Sequence, residues 1–389
     1  MKKSKLQLDS IIVISLLVFS VIPYLNLGKL SIFFSNNFIY FYLLGSVLLF
    51  FLLVVNNKML IQKKDLLMLF VSLVFCTFGY IHNNVAMGNV MTMICSILYL
   101  YYFRKCELEN KKVLLLICIV ASLLFVYIST TVVNSFYSHN SSLNPNAVAQ
   151  ILFVLLIILN HLLNFFNKRK IIILIFSILI LIGIYNCESR SVLFVSILYL
   201  IISSISKKMM KKEKHLKKEK IIYWIIIIAG LLVPYILVNM YTNSYTLTFS
   251  LFGKSLYSGR EKIWIVVLDE LKNIKYFLFG IPTNQYYSLM FTSNLHNVFL
   301  TVLANYGIIY FLIYFNYLFK NFENIIKNKT NNIYLSFGII FILLVGSMEN
   351  ILFSTEINFL FCLLFSLSIR FQNEKEGSLD ESIKKELSL

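Results

Sequence analysis

The chain of 389 residues is 59% hydrophobic and 16% aromatic, only 14% charged, with a mean hydropathy of +0.79. A soluble domain carries roughly a quarter of its residues charged, so these values exclude a soluble globular enzyme, a disordered chain and a nucleic-acid binder. What remains is an all-α polytopic membrane protein, and its formal net charge of +17 is then a topology signal rather than a binding surface.

A transmembrane helix needs about 20 mostly apolar residues. Twelve such runs are predicted, near 10–27, 37–55, 66–82, 86–103, 113–133, 145–166, 171–186, 190–205, 221–240, 297–319, 333–347 and 357–371. Placing the N-terminus in the cytoplasm and alternating puts 28 of the 35 Lys and Arg residues on the cytoplasmic side. Only Lys29, Arg190, Lys254, Arg260, Lys262, Lys272 and Lys275 fall outside. The positive-inside rule therefore predicts twelve transmembrane helices with both ends in the cytoplasm, a transmembrane domain over 1–372 and a charged cytoplasmic tail over 373–389. The first run has the basic start of a signal peptide but a poor cleavage site at Pro23-Tyr24-Leu25-Asn26, and reads as an uncleaved helix. The lysine-rich stretch Lys207–Lys220 reads as an anchor on anionic lipid rather than a nucleic-acid site. The six cysteines show neither disulfide nor zinc spacing and read as packing residues.

The cytoplasmic side offers no phosphate-cradling glycine loop, no Asp-x-Asp pair, no nucleophile elbow and no HExxH. These absences weigh against ATP, a sugar nucleotide or a dinucleotide, and no cofactor is expected. The outer side differs. The connection 241–296 is far longer than any other, and loops beyond about 15 residues are usually functional or disordered. Within it Gly259–Lys275 (GREKIWIVVLDELKNIK) reads as one amphipathic helix of about 25 Å at 1.5 Å per residue. Its wheel gathers Trp264, Val267, Leu271 and Ile274 in one stripe with Arg260 in the middle, and puts Glu261, Lys262, Asp269 and Lys272 on the far side. A cation so placed wants an anionic partner; the alternative is an interfacial arginine reaching for a lipid phosphate.

Arg190 opens the eighth helix after the turn Asn186-Cys187-Glu188-Ser189. A cation there opposes the helix dipole and suits a bound anion, or else pairs with Glu188 or another external carboxylate. His296 and Asn297 open the tenth helix at the same face. A helix N-terminus favours a neutral imidazole, which fits a general base as well as a hydrogen-bonded interfacial residue. No metal is suggested, because no second His or carboxylate stands at ligand spacing from His296. The loop's aromatic residues suit sugar stacking or an interfacial belt. Glu349 and Glu356, between the last two helices, can bind a sugar hydroxyl or pair with a loop lysine. Lys254, Trp264, Asn297 and Glu349 complete the candidate substrate contacts.

Taken in order, several pieces resemble the superfamily of O-antigen ligases and Wzy-type polysaccharide polymerases. They are Asn144-Pro145-Asn146, Glu188-Ser189-Arg190-Ser191, Gly259-Arg260-Glu261-Lys262-Ile263-Trp264, Phe279-Gly280, His296-Asn297-Val298-Phe299-Leu300 and Asn305-Tyr306-Gly307, over roughly 140–320. The chain departs at Phe279-Gly280-Ile281-Pro282, where many members carry a second glycine. The resemblance implies a metal-independent glycosyltransferase of the bacterial cytoplasmic membrane, acting at its outer face on polyprenyl-pyrophosphate-linked oligosaccharide. It implies that Arg190 and Arg260 hold the donor pyrophosphate and that His296 activates the acceptor hydroxyl, with membrane lipids, a chain-length regulator and a flippase as partners and no nucleic acid. Polymerase and ligase differ only in acceptor, and the Ile/Lys/Asn-rich composition of an AT-rich genome inclines the reading toward a capsule or other surface-polysaccharide polymerase. A flippase for lipid-linked oligosaccharide is the competing class. It calls for two related halves and charges at mid-membrane, whereas only the second half of this chain has a long outer loop.

Overall fold

The computed structural model describes residues 8–25, 29–55, 63–105, 111–137, 144–209, 216–243, 250–251, 254–255, 259–284, 294–327 and 332–367. The described chain is helical apart from one antiparallel pairing of β1 (Ser250–Leu251) with β2 (Lys254–Ser255). In order the helices are α1 (Leu8–Val21), α2 (Lys29–Val55), α3 (Lys63–Asn83), α4 (Met87–Lys105), α5 (Lys111–Tyr137), α6 (Pro145–Phe165) and α7 (Lys170–Asn186). They continue with α8 (Arg190–Met209), α9 (Leu216–Thr242), α10 (Arg260–Glu270), α11 (Ile274–Phe279), α12 (Val298–Lys327), α13 (Ile333–Gly346) and α14 (Thr355–Ser366). Each predicted apolar run falls on one of them. Six are long and apolar enough to cross a membrane: α2, α3, α5, α6, α9 and α12. Six more, α1, α4, α7, α8, α13 and α14, are shorter and apolar.

Local chemistry sets where these helices start. Asn144 caps α6 by accepting from the Asn146 N–H at 2.9 Å, with Pro145 at the first helical position, where its missing N–H costs nothing. The Asn-Pro-Asn triplet is thus a helix start. Helix α6 is sheathed by α5, α7, α8, α13 and α14, and 89% of its apolar window is buried, against 22% for α9. The outer helices turn large apolar side chains outward, among them Phe51, Phe70 and Ile225. Soluble monomers rarely expose contiguous apolar patches larger than a few hundred Å², so this surface fits lipid rather than water.

Between apolar helices, association rests on close packing and hydrogen bonds rather than on water exclusion. Tyr42 on α2 donates to Asn358 Oδ1 on α14 at 2.7 Å, Tyr99 on α4 donates to the Tyr42 carbonyl at 2.9 Å, and the Tyr42 and Tyr99 rings stack 4.7 Å apart. Cys76, Cys95, Cys118, Cys187 and Cys362 are buried and unpaired; Cys106 lies outside the described residues.

The described part of the connection between α9 and α12 departs from expectation in two ways. The single helix over Gly259–Lys275 is two, α10 and α11, because the chain breaks at Leu271–Asn273 and the Asn273 side chain caps the new start by accepting from the Lys275 N–H at 3.0 Å. Ile274 leaves the apolar stripe and is 68% exposed. Glu261, placed by the wheel on the far side, is buried and accepts from the Gly259 N–H at 3.0 Å.

Helix α11 is locked to the bundle by a break in α12. Gly307 has φ 79° and ψ 172°, a region open essentially to glycine alone, and any side chain there would strike the Leu278 carbonyl. Around the break, the Ala304 carbonyl takes the Ile281 N–H at 2.7 Å and the Asn305 carbonyl takes Asn83 Nδ2 at 3.1 Å. Asn83 Nδ2 also reaches the Phe279 carbonyl at 2.9 Å. Gly280 sits at φ 95°, where a Cβ would come within 2.6 Å of the Asn305 carbonyl oxygen. Phe279-Gly280 and Asn305-Tyr306-Gly307 are therefore two halves of one backbone joint.

Candidate active site

The chain between α13 and α14 brings Glu349 against the start of α10. Its side chain is only 4% exposed, and its Oε1 receives Arg260 Nη2 at 2.6 Å. Arg260 Nη1 also donates to the Met348 carbonyl. The imidazole of His296 faces the other oxygen, with Nδ1 3.7 Å from Oε2. That separation exceeds hydrogen-bond length, and Nδ1 is buried without a hydrogen-bond partner. The side chain as a whole is a quarter exposed. Ser191 Oγ completes the cluster, 3.5 Å from Glu349 Oε1. Three separate stretches of chain thus converge on one carboxylate.

Burial pushes the Glu349 carboxyl up, but the facing imidazole of His296 and the guanidinium of Arg260 outweigh it and hold the acid below the usual carboxylate range. Glu349 is therefore ionised near neutrality and can only accept hydrogen bonds. Ser189 Oγ and Asn350 Oδ1, next in sequence to the converging stretches, are buried polar atoms without hydrogen-bond partners. Among the described residues, no three His, Cys, Asp or Glu side chains are grouped to hold a metal ion.

His296 owes its position to its neighbours. It sits at φ 50°, the left-handed region that costs a non-glycine residue roughly 1–2 kcal/mol, and its N–H is taken by Asn294 Oδ1 at 2.9 Å. The preceding Leu295 carbonyl accepts Trp264 Nε1 at 2.7 Å. Asn297 follows and caps α12, its Oδ1 accepting from the Leu300 N–H at 2.7 Å. Its Nδ2 spans to the Gly230 carbonyl at 2.8 Å and the Ser347 carbonyl at 2.7 Å. Pro234 inside α9 explains the first of these, because proline lacks the N–H that would have bonded the carbonyl four residues back.

Two expected substrate contacts are corrected by this geometry. Trp264 is 1% exposed and packs against Val267, Ile281, Leu295, Leu300 and Ala304, so its ring is closed to a sugar face. Asn297 is wholly buried with both amide hydrogens committed. Both hold the His296 segment in place instead. Arg260, His296 and Glu349 are brought together. Arg190 is half-buried and opens α8 one residue before Ser191, on the same rim. Lys254 stands in β2 opposite Leu251, and its side chain lies outside the described residues. Several aromatic residues of the connection, such as Tyr245, Tyr286 and Phe291, also lie outside them. Ser191 is the contact that sequence reading passes over, and its one signal is its place beside Arg190 at a helix start.

No family model, no curated protein and no solved structure matches this chain.

Proposed function

We propose that the chain is a polysaccharide polymerase: a multi-pass glycosyltransferase that moves glycan from a polyprenyl-pyrophosphate donor onto a lipid-linked repeat unit at the outer face of a bacterial cytoplasmic membrane. The reading takes all twelve apolar helices as spans, with both termini in the cytoplasm. Its strongest support is the meeting of Arg260, Glu349 and His296, two basic groups and a carboxylate on the rim where the charge pattern places the extracytoplasmic face. Cleaving the sugar–pyrophosphate bond develops negative charge on the leaving group, which guanidinium groups at Arg260 and Arg190 can balance through bidentate hydrogen bonds. His296 can accept the proton of the attacking hydroxyl. The donor's pyrophosphate supplies the driving force, which accords with a cytoplasmic side that carries no nucleotide motif.

The test is the glycan profile of cells deleted of this gene and complemented with wild type, His296→Ala or Arg260→Ala. Single repeats held on lipid at the outer face in the deletion, with long chains restored by wild type and by neither variant, are the expected result. Long chains stranded on lipid would assign a ligase instead. Repeats trapped at the cytoplasmic face would replace both with a flippase.

A further inference from the structure

Glu349 is engaged with Arg260 through one oxygen, while the other stops short of His296. The guanidinium is held by Glu349 Oε1 at 2.6 Å and by the Met348 carbonyl. On the other side, Oε2 lies 3.7 Å from a buried His296 Nδ1 that has no hydrogen-bond partner. A buried nitrogen left unpaired is costly, and the nearest group to relieve it is this carboxylate, less than an ångström too far. Any anion that binds Arg260 must share or take the group that now fixes Glu349.

We propose that Glu349 is a positioning residue that competes with the donor's pyrophosphate for Arg260, and that once displaced it closes on His296 Nδ1. This rests on the glycosyltransferase reading. A pyrophosphate carries more than one negative charge against the single charge of Glu349, and it presents paired oxygens to the planar guanidinium. The released carboxylate then accepts the Nδ1–H of His296, which leaves the lone pair on Nε2. A neutral imidazole fixed in that tautomer takes the hydroxyl proton of the acceptor on Nε2. As it does so, the acceptor oxygen bonds to the anomeric carbon and the carbon–oxygen bond to the pyrophosphate breaks, its electron pair leaving with the phosphate. The imidazolium is balanced by Glu349 and the leaving group by Arg260. Base orientation is thereby coupled to donor arrival.

The full-length protein, purified in detergent, is titrated with a polyprenyl pyrophosphate bearing no sugar, and separately with phosphatidylglycerol micelles. Glu349→Gln removes the competing charge and is expected to bind the pyrophosphate more tightly, about fivefold, the ratio equivalent to ~1 kcal/mol. Yet it fails to restore long chains in the deletion cells. Tighter binding with lost turnover is a split that a merely structural residue does not produce. Glu349→Asp keeps the charge but draws it back by one methylene, takes an intermediate place in both readouts, and serves if the amide variant does not fold. Equal or weaker pyrophosphate binding by a folded Glu349 variant overturns the competition, and full restoration of chains by Glu349→Gln overturns the positioning role. If neither wild type nor Glu349→Gln binds the pyrophosphate in preference to phosphatidylglycerol, the donor-site reading itself falls.

Discussion

Glu349 balances the buried charge of Arg260, and its removal is expected to be felt in stability. Deleting one partner of a buried pair leaves an uncompensated charge at a cost of about 3–5 kcal/mol. Glu349→Ala, which strands Arg260 at 17% side-chain exposure, is expected to lower the melting temperature of the detergent-solubilised protein by several degrees at neutral pH. The acid's ionisation in the folded state is held below its ordinary range. Its contribution is therefore in full force above about pH 4.3, the ordinary glutamate value, and fades as pH falls through the lower folded-state range. Melting curves from pH 7 to pH 3 check both points: wild type and Glu349→Ala should converge at the acid end, and curves that already coincide at pH 7 would remove the pair from the stability account. Sequence reading names Arg260, His296 and Glu349 from charge and spacing, and the structure brings their side chains together. The same reading mistakes Trp264 and Asn297 for substrate contacts, because nothing in the sequence reports that the indole N–H is already spent on Leu295 and the amide on Gly230 and Ser347.

Among the helices, the long apolar ones were legible because hydropathy summed over about 20 residues depends on composition alone. The division of α10 from α11 was not, since apolar periodicity runs on through Leu271 and Ile274 and the sole local signal is Asn273, a residue that favours a helix cap. The kink in α12 was equally hidden: Gly307 reads as an ordinary tolerated glycine until Leu278 is seen against it. Gly307→Ala combines a disfavoured backbone region with overpacking, each worth about 1–3 kcal/mol. It should destabilise the protein by at least about 2 kcal/mol and loosen α11, exposing the outer connection to faster proteolysis from that side. Gly88→Ala is the matched control, because a Cβ there meets nothing within 4 Å. Alanine in its helix is expected to be neutral or to stabilise by about 0.5–1 kcal/mol. Equal protease resistance in the two variants would sink the joint between α11 and α12 as a structural lock.

For the molecule as a whole, the apolar outer surface fits a membrane, the charge pattern of the loops predicts an orientation in it, and labelling can check that orientation. Lys272 and Arg169 are both exposed and sit on connections assigned to opposite faces. In intact cells, a membrane-impermeant maleimide should label Lys272→Cys and reach Arg169→Cys only after permeabilisation. The exposed Lys272–Asp269 pair contributes little to stability, so the substitution leaves the fold intact, and the reverse labelling pattern would invert the topology. The all-helical, apolar fold class was readable from composition and Arg260, His296 and Glu349 could be named one by one, whereas their meeting could not be read, because they are scattered along the chain and only the bundle gathers them.

That scatter has a temporal side. Ser191 and Glu349, in contact in the finished protein, stand 158 residues apart. A chain made at about 5–20 residues per second therefore waits on the order of ten to thirty seconds between the appearance of one and the other. Over that interval the growing protein presents Arg260 and then His296, yet lacks the carboxylate that both face. The cluster closes only when the segment joining α13 to α14 falls into place.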